Sequence, residues 1–220
     1  MNRVPFVAAW LAVGCLLASP LVAYVLGAGL GLAVFVASLP CALAGVIGNL
    51  WLWWRHRDPR AAWALVFAVL PLVVASLVAA KGAGQPMIND VSTDLANPPA
   101  LRVVGQDIAF PENSRRELVR NGPKPWLVNA PVEEVQRAVA AAIAARKDWE
   151  VGQAQPGRIA FVATTRIFRF KDDVVVRIRE APGGTRVDVR SRSRMGKGDL
   201  GANAKRINQL LEAARALVPE

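Results

Sequence analysis

Two aspartates four positions apart, Asp90 and Asp94, lie in the polar run Ile88-Asn89-Asp90-Val91-Ser92-Thr93-Asp94-Leu95. Paired carboxylates can supply a general acid and a general base, provided that they converge across a cleft. A second candidate is the run from Arg186 to Arg194, where Arg186, Asp188, Arg190, Arg192 and Arg194 alternate with Val187, Val189, Ser191 and Ser193. On an extended strand those charges share one face, and four arginines on a face suit phosphate, as in a headgroup or a nucleic acid. A third is Gly196-Lys197-Gly198, which feeds a helix whose free N–H groups could cradle an anion.

Each candidate has a structural alternative, and in each case that alternative is the expectation. On a hairpin, Asp188 would face Arg177 or Arg179, and Asp173 would face Arg192 or Arg194, giving cross-strand ion pairs. Asp199, as an N-cap, would occupy the donors that an anion needs, and the glycine spacing departs from a phosphate loop. Asp90 or Asp94 could pair with Arg190, Arg194 or Arg206 and lash an irregular segment onto a sheet and the last helix. The opposing reading places the same groups around a polar ligand pocket.

Other chemistries lack their side chains. Cys15 and Cys41 sit in apolar runs and the single histidine, His56, in a short charged loop, so the chain beyond Lys81 has neither residue type. No disulfide, no metal site and no cofactor is expected there.

The elements that must position these residues begin with three uncharged runs, Val4 to Leu26, Leu30 to Trp54 and Ala61 to Ala80. Each approaches the roughly 20 apolar residues needed to cross a hydrocarbon core as a helix. Arg55, Arg57 and Arg60 with Arg3 mark one side and Lys81 the other, so the N-terminus is expected in the cytoplasm and everything after Ala80 outside. Trp51, Trp53, Trp54 and Trp63 flank the arginine loop as interfacial aromatics do. The first run is longer than a signal-peptide core and is followed at once by another, which favours a span over a cleaved leader. Pro20, Pro40 and Pro71 would kink the spans, and Gly27, Gly31, Gly45 and Gly48 would let them pack closely.

The formal charge is +10. Residues through Lys81 supply five basic and one acidic side chain, and the remaining +6 belongs to twenty-two basic and sixteen acidic ones. That balance permits an anionic membrane surface, whereas export argues against nucleic acid. Residues 81–130 are rich in Pro, Gly, Asn and Asp without a sustained period and read as a linker that wraps along a domain.

Residues 131–220 then become regular. Val132, Val135, Val139 and Ile143 predict an amphipathic helix over Pro131 to Lys147, with Glu133 and Glu134 in its first turn and Arg146 and Lys147 in its last. Trp149 to Ala154 and Arg158 to Thr165 read as strands around Gln155-Pro156-Gly157, and Asp172 to Arg179 and Arg186 to Ser193 as a hairpin around Ala181-Pro182-Gly183-Gly184. Val174, Val176 and Ile178 share one face of that hairpin with Val187 and Val189. A final helix follows Asp199, its apolar face drawn from Leu200, Ile207, Leu210, Leu211 and Leu217 or Val218. The expected architecture is an N-terminal three-helix transmembrane bundle plus an α+β domain of helix, four-stranded antiparallel sheet and helix.

The run Ile88 to Leu95 with Ala96-Asn97-Pro98-Pro99, and the run Val187 to Ser191 through Ser193-Arg194, Gly196, Asp199 to Asn203 and Arg206-Ile207, resemble the bacterial and plastid family called domain of unknown function 1499. Phe170 to Arg177 is similar to that family's central strand, and the resemblance covers nearly all of Pro86 to Leu217. It implies an exported domain, sometimes tethered by spans, at the envelope of a bacterial inner membrane, and it implies no activity, substrate or catalytic residue. The positions it singles out are Asn89, Asp90, Thr93, Asp94, Asn97, Arg190, Ser191, Arg194, Asp199, Asn203 and Arg206. Three functions remain open. The first is a binding or scaffold module contacting anionic lipid headgroups, a glycan or an envelope protein. The second is an enzyme using the Asn89 to Pro99 carboxylates. The third is a small transporter subunit, against which the lack of charge inside the spans argues.

Overall fold

The computed structural model describes residues 3–103 and 106–218; residues 104–105 of the expected wrap and 219–220 of the expected domain lie outside them. The chain divides into two compact units, Met1–Ala83 with Arg166–Arg169, and Gly84–Thr165 with Phe170–Glu220.

The first unit contains α1 (Val4–Leu26), α2 (Ala28–His56) and α3 (Pro59–Gly82), all long and apolar enough to cross a membrane. The turn between α1 and α2 is a single residue, Gly27 at φ 104, so its role is conformational and not the packing expected of it. At the arginine loop, Pro59 occupies the first turn of α3 and Asp58 Oδ1 accepts from the Arg60 N–H at 2.9 Å. Close approach falls to the other three glycines. A Cβ on Gly31 would sit 2.7 Å from the Ser19 carbonyl and collide with Ala23; one on Gly45 would meet Ala9 and Ala68, and one on Gly48 would meet Pro5. Asn49 fastens the same seam, its Nδ2 donating to the Pro5 carbonyl at 2.9 Å and the Gly45 carbonyl at 2.8 Å.

In the second unit, α5 (Val132–Ala144) and α6 (Ala202–Arg215) pack on a six-stranded antiparallel sheet. Its order is β1 (Asp90–Ser92), β8 (Gly184–Ser193), β7 (Lys171–Ala181), β6 (Arg158–Thr164) and β5 (Trp149–Gln155), with β4 (Trp126–Val128) also paired to β8. The expected four strands are all present, and the class is α+β as read. The two added strands come from the segment expected as a wrap, which also forms the small hairpin β2 (Leu101–Val103) and β3 (Gln106–Ile108) and the helix α4 (Glu112–Asn121). Without β1 and β4 the free edge of β8 would present unpaired backbone groups. Three-residue strands carry too little periodicity to be seen in advance.

The core lies where period two and period 3.6 place it. Val174, Val176, Ile178, Val187 and Val189 from the hairpin meet Val135, Val139 and Ile143 of α5 and Ile207, Leu210 and Leu211 of α6. Three local expectations change. α5 ends at Ala144, so Arg146 lies beyond its last turn, stacks over Trp149 and pairs with Asp148. Leu200, at φ 55, is exposed and not on the apolar face of α6. The charged face of the hairpin is not open: Val175, Asp188 and Arg190 on it are all buried.

Candidate functional site

The hairpin's charged face is occupied by ion pairs to the segment that follows β1. Pairing of β1 with β8 sets Asp90 opposite Arg192 and Ser92 opposite Arg190, which turns Asp90 toward the arginines and Val91 into the core. Arg190 then grips Asp90 with both arms of its guanidinium, Nε to Oδ1 at 3.0 Å and Nη2 to Oδ2 at 2.8 Å, at 2% and 0% side-chain exposure. Its remaining N–H groups donate to the carbonyls of Pro99, Ile108 and Ala109 at 3.4, 3.0 and 3.2 Å, and its plane lies 5.2 Å from the Phe110 ring centroid. One arginine thus holds three points, Pro99, Ile108 and Ala109, on the two stretches 93–103 and 106–110 that form the strap.

A second tie lies along the same face. Arg177, in register with Asp188 as expected, bonds its Oδ2 at 2.8 Å, and the same nitrogen reaches Asp94 Oδ2 at 2.9 Å and the Asn97 carbonyl at 3.0 Å. Asp94 Oδ1 accepts from the Asn97 N–H, closing a turn. Asp94 therefore pairs with Arg177 and, at 3.4 Å, with Arg186, and not with Arg190, Arg194 or Arg206. Arg194 pairs with Asp173 at 2.7 Å, and this hydrogen bond holds the guanidinium above the ordinary arginine value. Thr93 continues the ladder, its N–H donating to the Val189 carbonyl and its Oγ1 accepting from the Val189 N–H, both at 2.9 Å.

The remaining predicted residues meet on the opposite, helix-covered face. Arg206 of α6 bonds Asp172 Oδ2, Ser191 Oγ at 3.0 Å and Asn203 Oδ1 at 2.6 Å. Asn203 Nδ2 donates to the Asn89 carbonyl at 3.1 Å and to Ser193 Oγ at 3.0 Å, while the Asn89 side chain donates to the Gly196 carbonyl. Asp199 Oδ1 and Oδ2 accept from the N–H groups of Gly201 and Asn203 at 2.9 and 2.7 Å. The N-cap of α6 is Gly201, at φ 76, and not Asp199 as expected, yet Asp199 takes donors that an anion at this helix start would need. Asp172 was missed because period two places it on the core side, where a carboxylate is unexpected without its partner.

Asp90 and Asp94 thus do not face one another. Asp90 gives both oxygens to one buried guanidinium; Asp94 gives one oxygen to two other arginines, Arg177 and Arg186, and the other to a backbone turn. A proton donor or acceptor needs a free oxygen within reach of a substrate, and this geometry offers none at Asp90. Asn97 and Arg194 face solvent, and Asp199 borders a cleft. The cleft, of about 540 Å³, lies between the 84–88 segment, α4 and the start of α6, with Ile88, Val91, Leu118 and Ala204 as apolar lining and Gln85, Glu117 and Asn121 as polar lining. The adjoining hollow of about 320 Å³ shares Asn121 and Ala204 and continues past Lys124 to Glu212 and Arg215. Together they form a groove along α4 and α6. It lies outside the expected sites because its wall α4 falls within the segment expected as a linker.

No curated protein matches the chain. Residues 90–213, more than half of it, match the family described as protein of unknown function (DUF1499). That stretch begins at the Asp90 tie and ends within α6, so it contains both faces of the buried network and most of the groove. The chain belongs to this family of unknown function.

Proposed function

We infer that the α+β unit is an exterior binding or scaffold module of the cell envelope, anchored by α1–α3, and that its partner is a polypeptide segment of an envelope protein seated in the α4–α6 groove. The observation that carries this reading is a division of labour. The motif carboxylates are consumed by arginines and backbone, whereas the groove is open and presents an apolar floor between polar rims. That is the build of a recognition surface and not of an acid–base pair.

Its size and charge suit a peptide. From Ala204 to Arg215 the α6 wall rises about 16 Å, the reach of roughly five extended residues. Glu117 and Asp199 stand toward one end and Lys124, Glu212 and Arg215 toward the other, a mixed charge that disfavours a polyanion such as nucleic acid. Headgroup contact by the hairpin would fall to the partly exposed Arg179, Arg186, Arg192 and Arg194, because Arg190 is buried.

The excess of arginine beside α1 and between α2 and α3 supports a cytoplasmic N-terminus and an extracytoplasmic α+β unit. Among the described residues of the bundle the buried polar side chains are Ser19, Ser38 and Asn49, none of them charged and each donating to a backbone carbonyl, with Asn49 Oδ1 left without a partner, which supports an anchor over a conduit. The test is site-specific photocrosslinking of the full chain in its native membrane. A crosslinker at Asn121 or Asn208 is expected to give a discrete protein adduct that one at exposed Val151 on β5 does not. Equal adducts from all three positions would overturn the groove as the binding site.

A further inference from the structure

A second site lies in the first unit and is independent of the groove. Arg3, Phe6 and Trp10 occupy positions i, i+3 and i+7 at the start of α1, and Arg60, Trp63 and Phe67 repeat that spacing at the start of α3. Residues so spaced share one helix face. Two short turns separate three successive helices, so α1 and α3 run in the same direction, and the two stripes stand side by side with both arginines at one end. They enclose a groove of about 430 Å³. Trp10 stacks on Phe67 with centroids 5.0 Å apart and forms its floor, about 10 Å along the helices from the arginines.

Among the described residues no carboxylate forms an ion pair with Arg3 or Arg60 at its mouth. Asp58 is the only acidic residue in the first 89, and its Oδ1 is bonded to the Arg60 backbone and not to a guanidinium. Arg57, by contrast, lies over the Trp53 ring at 5.1 Å. Trp63 and Trp10 are 73% and 61% exposed, which on a span means exposed to lipid, and Trp63 is one turn from Arg60, where an amphipathic ring meets headgroups. A planar guanidinium from each side offers forked donors to phosphate oxygens, and the aromatic groove beneath offers about 10 Å of apolar wall to the chain attached to that phosphate.

We propose that Arg3 and Arg60 bracket the phosphate of an anionic glycerophospholipid at the arginine-loop face of the bundle, with one acyl chain lying in the groove between α1 and α3. The lipid seals the seam and fixes the register of α3 against α1. Its headgroup specificity comes from two cations held at one level, which favours a net negative lipid over a zwitterionic one.

The full chain, delipidated in detergent, would be titrated with phosphatidylglycerol and with phosphatidylcholine of the same acyl chains, and bound lipid counted by native mass spectrometry. Replacing either Arg3→Gln or Arg60→Gln is expected to weaken phosphatidylglycerol binding about fivefold, and the double variant about thirtyfold, with phosphatidylcholine little changed. The control Arg55→Gln with Arg57→Gln, which removes equal charge from the same loop, is expected to stay within about twofold of the parent. Phe6→Ala tests the chain-binding wall and is expected to weaken the lipid but not to alter headgroup preference. An equal loss in the control pair would show diffuse attraction and overturn the proposal. So would equal affinity for the two lipids, displacement of bound lipid by glycerol phosphate alone, or a dimer that occupies the groove and dissolves in the double variant.

Discussion

Removing Asp90 from Arg190 is the sharpest perturbation of the second unit. Both side chains are within 2% of complete burial and share two hydrogen bonds. Breaking such a pair from one side strands a charge and costs about 3–5 kcal/mol, whereas replacing both partners by apolar groups is often near neutral. Asp90→Ala leaves the guanidinium with only the carbonyls of Pro99, Ile108 and Ala109. Arg190→Met leaves the buried carboxylate with only Arg192, 3.8 Å away, and also frees those carbonyls, at about 1 kcal/mol for each one left without a donor, so it should cost more. The double variant Asp90→Leu with Arg190→Met is expected to recover about 2–3 kcal/mol relative to the sum of the singles. Urea unfolding of the full chain in detergent, followed through core residues Trp126 and Trp149, reads the difference. With a slope of about 1–3 kcal/mol per molar, a 4 kcal/mol loss moves the midpoint by more than about 1 M. Single losses below about 1 kcal/mol, the size seen for surface ion pairs, would refute the reasoning, as would strict additivity.

Three further outcomes are expected. Gly31→Val should separate α1 from α2, seen as a lowered melting temperature in detergent, whereas Gly14→Ala, whose Cβ meets nothing within 4 Å, should be silent. Gly184→Ala places a Cβ against the Val128 carbonyl and 2.9 Å from Asn129 Cα at φ 125, and should cost at least about 1–3 kcal/mol with loss of β4 amide protection. Asp199→Ala frees the N–H groups of Gly201 and Asn203 and should destabilise α6 by about 1 kcal/mol, which hydrogen exchange at its first turn would report.

What could be read in advance follows from how far each signal extends along the chain. Spans of more than twenty residues, the α5 stripe and the β7–β8 alternation each repeat one pattern many times, and each stands in the structure. The Arg177–Asp188 pair was legible because register in a hairpin is fixed by its turn. The partner of Asp94 was not, because it depends on where an aperiodic strap lands, and that strap is positioned by carbonyls of Pro99, Ile108 and Ala109 that carry no sequence signature. The groove was hidden for a related reason. Its walls come from α4, whose only buried residues are Ser114 and Leu118, and from the start of α6, and neither element alone shows a cavity.

The motif segment is a fixed strap, and the motif carboxylates are its ties. Hydrogen exchange on the full chain in lipid nanodiscs tests this most directly, comparing the Asp90–Asp94 amides and those of 106–110 with those of β7. The ties predict that the Val91 and Thr93 amides, the latter bonded to Val189, exchange as slowly as the central strand, and that residues 106–110 follow them. Exchange of the whole segment within seconds, with β7 still protected, would mean that it opens readily, and the account of Asp90, Asp94 and Arg190 as structural ties would be wrong.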